Sequence, residues 1–527
     1  MVDSKDTGLG RLGIIAGLVA AVTMLAVMLV LRVALQIPSL PELLSEGLTL
    51  VLPLPLFGLL LGALEARAKF VAVVGLVLGH VVLGALIGYL YARLWGPASR
   101  RPTGAPDWRN PWMGGLVVSG GLWVLALLLV MPASGVGLLG LASRTGTVPL
   151  LLSTLAASLA YGLSLVAFTQ GLLASQAAVP QEIPALDRER RVLVMKLFAV
   201  PIALLAAGGL WQLFTGEGRG GIEEMGTAVA KDRPKGVLPD EITPNNIFYQ
   251  VSKNLRDPVV DLKEWSLDLR AQGGRKLSLT YNDLKSLPAV EQVNTLICIS
   301  NEVGGDLISN ARWTGVRLRD LLARLGTVSG VDVVLKAWDG YSDSIPFDKA
   351  MEEGTVLAYM MNGEPLPPGH GFPARLLVPG IYGMKNVKWV TAIELVDQDF
   401  QGYWQNRGWS DVATIKTMSR LDVPGKGSTL PLGPVDLGGV AFSGDRGISK
   451  VEVSADAGKS WTEMKVKQAL SPYAWSLWTG QWQPSGPGNY VVYVRASDGQ
   501  GQVQEKTETE PLPDGASGYD TLSLTLR

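Results

Sequence analysis

Apolar positions divide this chain at about residue 214. Before that point Leu, Val, Ala and Gly run on in long blocks with few charges: Leu12 to Leu35, Leu48 to Leu64, Phe70 to Leu94, Met113 to Met131, Thr147 to Leu173 and Val192 to Phe214. A bilayer core of about 30 Å takes roughly 20 helical residues, so blocks of this length predict transmembrane helices. The second block is short and holds Pro53 and Pro55, which predicts a kinked or re-entrant segment and five or six spans in all. Residues 1–214 are therefore expected to be an all-α membrane region.

Beyond it the pattern changes. Residues 215–239 are rich in Gly, Glu, Lys and Arg with Pro234, the composition of an exposed linker. The run Ile242 to Asn254 reads as a loop feeding a strand. Leu296, Ile297 and Ile299 form a β-type run around Cys298, and Ser300-Asn301 with Gly304-Gly305 then forces a loop, so the thiol is expected at a strand end. From Thr314 the spacing of Val316, Leu321, Leu322 and Leu325 predicts a helix stopped by Gly326. Val331 to Leu335 reads as a strand and Trp338 to Pro346 as a polar loop. After about Asp411 come short alternating strands, Ile448 to Ser454, Trp461 to Val466 and Tyr490 to Arg495, separated by turns such as Asp456-Ala457-Gly458; that spacing predicts a β-sandwich.

Charge adds orientation. Arg93, Arg100, Arg101 and Arg109 follow the third block, and Arg188, Arg190 and Arg191 precede the last, while the loop between holds only Arg144. The positive-inside rule makes the two Arg-rich loops cytoplasmic, and parity places everything after Phe214 outside the cytoplasm. Arg190-Arg191 before an apolar run reads either as an internal twin-arginine export signal or as ordinary flanking charge. A net charge of −1 gives no electrostatic footprint for nucleic acid.

Two residue counts narrow the chemistry. The chain has two histidines, His80 and His370, and no Cys-x-x-Cys-His, so bis-His haem in the membrane from one chain and covalent haem are both excluded. His80 reads as a packing or polar-contact residue. With a single cysteine there is no internal disulfide, no Cys-rich zinc site and no four-Cys cluster. Cys298 is left as a buried spectator, a nucleophile or one thiolate ligand.

The stretch LICISNEVGGD followed by ISNARWTGVRLRDLL at Ile308 to Leu322 resembles the molybdenum-cofactor domain of the sulfite oxidase family. The resemblance covers about residues 240 to 527 and implies that Cys298 binds molybdenum as a thiolate within molybdenum-molybdopterin. In the segment ITPNNIFYQVSKN it implies cofactor contacts from Asn246, Tyr249 and Gln250. In the blocks MNGEPLPPGHGFPAR and YGMKNVKW it implies contacts from His370, Arg375, Asn386, Val387 and Lys388. A pterin phosphate wants Arg, Lys and N–H donors, which fits those residue types. The context YSDSIP implies an active-site tyrosine, Tyr341, able to pass a proton. The run GGVAFSGDRGI resembles the family's immunoglobulin-like dimerisation domain, which implies a homodimer.

The expected architecture is then an all-α transmembrane region, an α+β molybdopterin-binding domain over 240–405 and an all-β immunoglobulin-like domain over 406–527. The implied function is a membrane-anchored, extracytoplasmic oxidoreductase transferring oxygen atoms to or from a small sulfur compound. Electrons pass to a separate carrier, a cytochrome or the quinone pool. Two features depart from animal and plant sulfite oxidases: Val251-Ser252-Lys253 stand where those have Arg-Asn-His, and Glu302 and Val303 where they carry arginines. Both remove positive charge that would hold a sulfite dianion, which speaks against sulfite as the substrate and leaves the direction open, with an S-oxide reductase of the methionine sulfoxide type as the alternative. A reading of another class is a non-catalytic, membrane-tethered binding module.

Overall fold

The computed structural model describes residues 4–35, 37–53, 56, 60, 68–95, 110–141, 146–177, 235–254, 257–271, 274–326 and 328–527. The span Val192 to Phe214, the paired arginines 190 and 191, the arginines at 100, 101, 109, 144 and 188, linker residues 215–234 and most of the span Leu48 to Leu64 lie outside them. The chain forms two compact units, one essentially N-terminal and one holding nearly everything from Ala228 onward.

In the first unit, four helices among the described residues are long and apolar enough to cross a membrane: Gly8–Leu35, Val71–Trp95, Pro111–Ala133 and Thr147–Leu173. They match four of the six apolar blocks. A further helix, Leu40–Val51, was not anticipated and occupies the start of the second block. It stops two residues before Pro53, where the proline ring disfavours helical backbone in the residue ahead of it. Its buried Glu42 takes a hydrogen bond from Arg32 Nε at 2.9 Å and from the Ser39 N–H at 3.0 Å, so a charge at the end of an apolar helix is neutralised locally. His80 Nε2 lies 3.1 Å from the Ala21 carbonyl, a polar contact between helices.

Small residues set the helix contacts. A side chain at Gly88 would strike the Gly13 carbonyl and the Gly17 backbone, and one at Gly17 would strike the Gly84 carbonyl, so Gly13-x-x-x-Gly17 and Gly84-x-x-x-Gly88 press backbone on backbone. Gly79, on the same helix as Gly88, has open space around it. Gly88→Ala is therefore expected to lower the stability of the detergent-solubilised protein by about 1–3 kcal/mol. Gly79→Ala should instead raise it by up to about 1 kcal/mol through helix propensity. Thermal unfolding of the two variants side by side checks this, and equal shifts would refute the close approach.

The second unit begins with two sheets. One runs in the order Lys276–Leu279, Leu267–Arg270, Val390–Val396, Asp332–Ala337, Ser342–Pro346, with its second and third strands parallel. The other is antiparallel, in the order Val290–Ile297, Ile308–Arg317, Val356–Met361, Glu364–Pro365, with Arg375–Leu377 also on Val356–Met361. Leu267, Leu269, Val333, Leu335 and Ile393 from the first sheet bury themselves with Leu318, Leu321 and Leu322 of the helix Leu318–Ala323.

Three local expectations need correction. Thr314 to Arg317 is strand, not helix: Thr314 and Gly315 are paired on both sides, Val316 and Arg317 on one, and the helix starts only at Leu318. Pairing in the sheet outweighs the helical spacing of its side chains. Ser342 to Pro346 is also strand rather than loop, because the buried Asp343 that makes it look polar has an ion-pair partner elsewhere in the fold. The run from Ile242 stays irregular, and among the described residues no strand follows until Leu267.

The C-terminal part is β-rich. Eight strands lie in the order Met418–Val423, Val435–Phe442, Ser476–Trp482, Thr462–Val466, Ile448–Ser454, Gly488–Asp498, Thr521–Leu526, Thr429–Leu430. Trp478, Val451, Val453, Val492, Val494 and Leu524 form its core. The hairpin Ile448–Ser454 to Thr462–Val466 turns through Ala457 and Gly458 at φ +61° and +83°, and the Asp456 carboxylate collects the N–H groups of Lys459 and Ser460.

Candidate cofactor and active site

Cys298 is the first residue after the strand Val290–Ile297, as its flanking residues predict. Its N–H donates to the Leu307 carbonyl at 2.9 Å and its carbonyl accepts from Asn301 N–H at 3.0 Å, so a tight turn fixes the backbone on both sides of the thiol. The sulfur is 7% exposed with the rest of the residue and lies 3.0 Å from Ser300 Oγ. Burial pushes the thiol up, and the Ser300 hydroxyl and the Ser300 and Ile299 N–H groups oppose it. Glu302 is exposed on the turn beyond, with Val303 partly buried beside it.

Cys298 shares a small buried cluster with Phe248, Tyr249, Leu296, Trp313, Ala358 and Met361. Phe248 is the hub of its aromatic part. Its ring stacks on Tyr249 at 5.6 Å and meets Trp313 and His370 edge-on at 5.8 and 5.3 Å. Tyr249 is fixed through its N–H on Ser309 Oγ at 3.1 Å, and a side chain at Gly383 would meet its hydroxyl and the Ile297 carbonyl. Burial, with the nearby Cys298, holds the Tyr249 phenol far above its ordinary value.

His370 is buried, with Nε2 3.2 Å from the Asn245 carbonyl. Asn245 also donates to the Met361 carbonyl and accepts from Asn362 Nδ2 at 2.8 Å, whereas Asn246, the predicted contact, is exposed. Gln250 Nε2 donates to Asp257 at 2.5 Å and its side chain lies against Gly369. Asn386 uses its whole amide on the backbone, accepting from Val378 N–H at 2.7 Å and donating to the Ile381 and Tyr382 carbonyls. Val387 is buried, and its carbonyl accepts from Leu376 N–H.

Arg375 is the informative cation. It is 6% exposed, donates to the His370 and Asn386 carbonyls at 3.2 and 3.5 Å, and has no acceptor for Nε. Among the described residues no carboxylate lies within ion-pair distance of it, and burial lowers its pKa to about 10. Its guanidinium sits 5.7 Å from the Trp313 ring. Lys388 donates to the Gly369 carbonyl at 2.9 Å, lies over Trp389 at 4.2 Å, and is pushed down by burial. Arg375, a cation costly to hide without an anion, fits a bound phosphate, whereas Lys388 is half-buried and already has Asp257 and Asp339 acting on it. No group of three or more His, Cys, Asp or Glu is placed to hold a metal among the described residues, so the donor set fits one thiolate with the remaining metal ligands supplied by a cofactor.

Tyr341 belongs to a second buried network. Its hydroxyl reaches Asp343 Oδ2 at 2.8 Å and the Met384 carbonyl at 3.0 Å. Asp343 Oδ1 accepts from Lys385 Nζ at 3.1 Å, and that ammonium also reaches the Ser344 carbonyl at 2.9 Å and Asp411 at 3.0 Å. Burial raises the Asp343 carboxyl, opposed first by Lys385; burial and Asp343 together hold the Tyr341 phenol well above its ordinary value. The structure thus gathers Cys298, Tyr249, His370 and Arg375 around Phe248 and Trp313, puts Tyr341 in its own network, and leaves Asn246 at the surface. Sequence reasoning missed Phe248, Trp313, Asn245, Lys385 and Asp343. All five stand inside the motifs that carry the resemblance, which is the signal that could have found them.

The chain matches two family descriptions: Oxidoreductase molybdopterin binding domain over residues 254–404 and Mo-co oxidoreductase dimerisation domain over residues 413–512. It is 32% identical over 327 residues to mitochondrial sulfite oxidase of Homo sapiens, covering 53% of this chain and 60% of that protein. To sulfite oxidase of Arabidopsis thaliana it is 31% identical over 280 residues, covering 43% of this chain and 70% of that protein. The sulfane dehydrogenase SoxCD of Paracoccus pantotrophus superposes with a TM-score of 0.49 at 23% identity, over 56% of this chain and 85% of that one. The match thus spans about three-fifths of the length of the mitochondrial relatives.

Proposed function

Because the chain belongs to the sulfite oxidase family of molybdopterin oxidoreductases, we propose that it is a membrane-anchored enzyme whose C-terminal unit works outside the cytoplasm on a small sulfur compound. Its cofactor is molybdenum-molybdopterin, which when bound supplies two-electron oxygen-atom transfer. Cys298 is the protein's ligand to the metal. Arg375 and Lys388 hold the phosphate end, His370 and Tyr249 with Phe248 wall the pterin, and the backbone at Asn386 and Val387 shapes the floor. The buried guanidinium of Arg375, with an idle Nε and no carboxylate at ion-pair distance among the described residues, is the observation that carries this assignment.

Tyr341 keeps its proton at neutral pH and donates it to Asp343 or to the Met384 carbonyl, with Lys385 holding Asp343; in this reading the phenol turns that proton to the reacting centre once substrate is bound. Tyr341→Phe is expected to lower turnover about 10- to 100-fold with cofactor content unchanged. Since the phenol titrates far above its ordinary value of about 10, no alkaline limb of the pH profile below that pH should vanish in the variant. Steady-state rates across pH, beside metal analysis, check both.

The domain limits at 214, 239 and 405, the immunoglobulin-like character of the C-terminal part and its homodimer belong to the same proposal. So does an external electron carrier, a cytochrome or quinone. S-oxide reduction is favoured over sulfite oxidation by Glu302 and Val303 after the thiol. Purification of the full chain from a cofactor-making host tests the reading. Stoichiometric molybdenum, weak sulfite oxidation and measurable sulfoxide reduction are expected. Absence of molybdenum would refute it, and rapid sulfite turnover would refute the substrate assignment. Protease shaving of right-side-out vesicles should remove residues beyond 235 if the orientation is right.

A further inference from the structure

A cleft of about 600 Å³ opens where the segment ahead of the C-terminal strands turns back on the rest of the unit, lined by Ser410, Val412, Ile415, Lys416, Arg446 and Asp514. That volume suits a small organic molecule. Behind it the chain runs toward the candidate metal ligand: the Tyr382 hydroxyl accepts from Lys416 N–H at 3.3 Å and would overlap any side chain at Gly515, and a side chain at the next residue, Gly383, would meet the carbonyl of Ile297 beside Cys298. The backbone behind the lining residues Val412 and Thr414 is held against relaxation. Ala413 stands at φ +49°, where a residue with a Cβ is strained, pinned by Tyr382 N–H on its carbonyl at 2.8 Å and by its own N–H on Ser410 Oγ at 3.0 Å.

The charges in the cleft are balanced. Arg446 is spent on the buried Asp498 at 3.0 Å and on the Ile415 carbonyl at 2.9 Å. Lys416 donates to the Gly515 carbonyl at 2.7 Å and stands 3.9 Å from Asp514 Oδ2, a separation at the limit of an ion pair. Both side chains meet solvent, at 32% and 58% exposure, so a ligand can enter between them. A dianion placed there would meet one cation with a carboxylate beside it. A zwitterion would satisfy both, with its anionic group on Lys416, its ammonium on Asp514 and its aliphatic part against Val412 and Ile415.

The geometry points to this cleft as the substrate-holding site and to small zwitterions, carrying an ammonium and an anionic group, as the class it takes. The inference rests on the oxidoreductase reading above and adds the head-group charge of the substrate. Isothermal titration of the full chain in detergent with three S–O probes tests it: L-methionine sulfoxide as zwitterion, dimethyl sulfoxide as neutral compound and sulfate as dianion. L-Methionine sulfoxide should bind at least about tenfold more tightly than either of the others. Asp514→Asn and Lys416→Met should each lose about two- to fivefold for it and leave dimethyl sulfoxide unchanged. Asp514 is exposed, and far-UV circular dichroism checks that each variant folds. Sulfate binding as tightly as the zwitterion, or an Asp514→Asn variant with unaltered L-methionine sulfoxide affinity, would overturn the inference. Molybdenum content and redox turnover, which test the enzyme reading, are separate readouts and can succeed where this one fails.

Discussion

Cys298→Ser is expected to cost more than about 100-fold in turnover while the protein still folds and still carries pterin. Loss of groups that merely support a metal ligand already costs roughly 10- to 100-fold, and in the proposed site the ligand itself would be replaced. Serine is nearly isosteric and finds the same turn, held by the Leu307 and Asn301 hydrogen bonds, so stability should change little. What changes is the donor: a soft, electron-rich sulfur becomes a hard oxygen, and the metal's potential moves with it. X-ray absorption at the molybdenum edge should show one fewer sulfur neighbour than in the wild type. Wild-type rates, or an unchanged sulfur count, would reduce Cys298 to a buried spectator.

Arg375→Met should act in opposite directions with and without cofactor. In cofactor-free protein the guanidinium is buried, has an idle Nε and meets no carboxylate among the described residues, so its removal should raise stability by about 1–3 kcal/mol. In loaded protein the same cation would, on the proposed reading, meet the phosphate, and its loss should cost about 2–5 kcal/mol of cofactor affinity. Protein made in a host unable to synthesise the cofactor should therefore melt higher as the variant, and protein from a competent host should melt lower and carry less molybdenum. A fall in both hosts would mean that Arg375 serves packing against Trp313 alone.

The two predictions differ in how far the sequence alone could have made them. Cys298 announces itself: it is the chain's one sulfur nucleophile, at a β run that meets Ser-Asn and Gly-Gly, and the structure puts it at that strand end. Arg375 is one of many arginines until the fold buries it away from every carboxylate described. Lys385 is more hidden still. Its partners Asp343 and Asp411 lie 42 and 26 positions away, and nothing in the spacing of a lysine in a Gly-Met-Lys-Asn run announces a buried ion pair. The same pair explains why Ser342–Pro346 reads as loop: an aspartate inside a strand looks like a turn residue until its charge is seen to be met.

By itself the sequence determined what depends on neighbours along the chain. Long apolar blocks became four membrane-length helices, alternating short runs became the C-terminal strands, and the motifs around Cys298, Tyr341 and His370 to Lys388 identified the cofactor family. Only the tertiary structure decided what depends on distance in space: which glycines press two helices together, which asparagine holds His370, and that Thr314 to Arg317 is a strand paired in its sheet. The physical reason is range. Periodicity and turn chemistry act over a few residues and are written in order, whereas burial, charge pairing and the Lys416–Asp514 balance arise between residues that meet only once the chain has closed on itself.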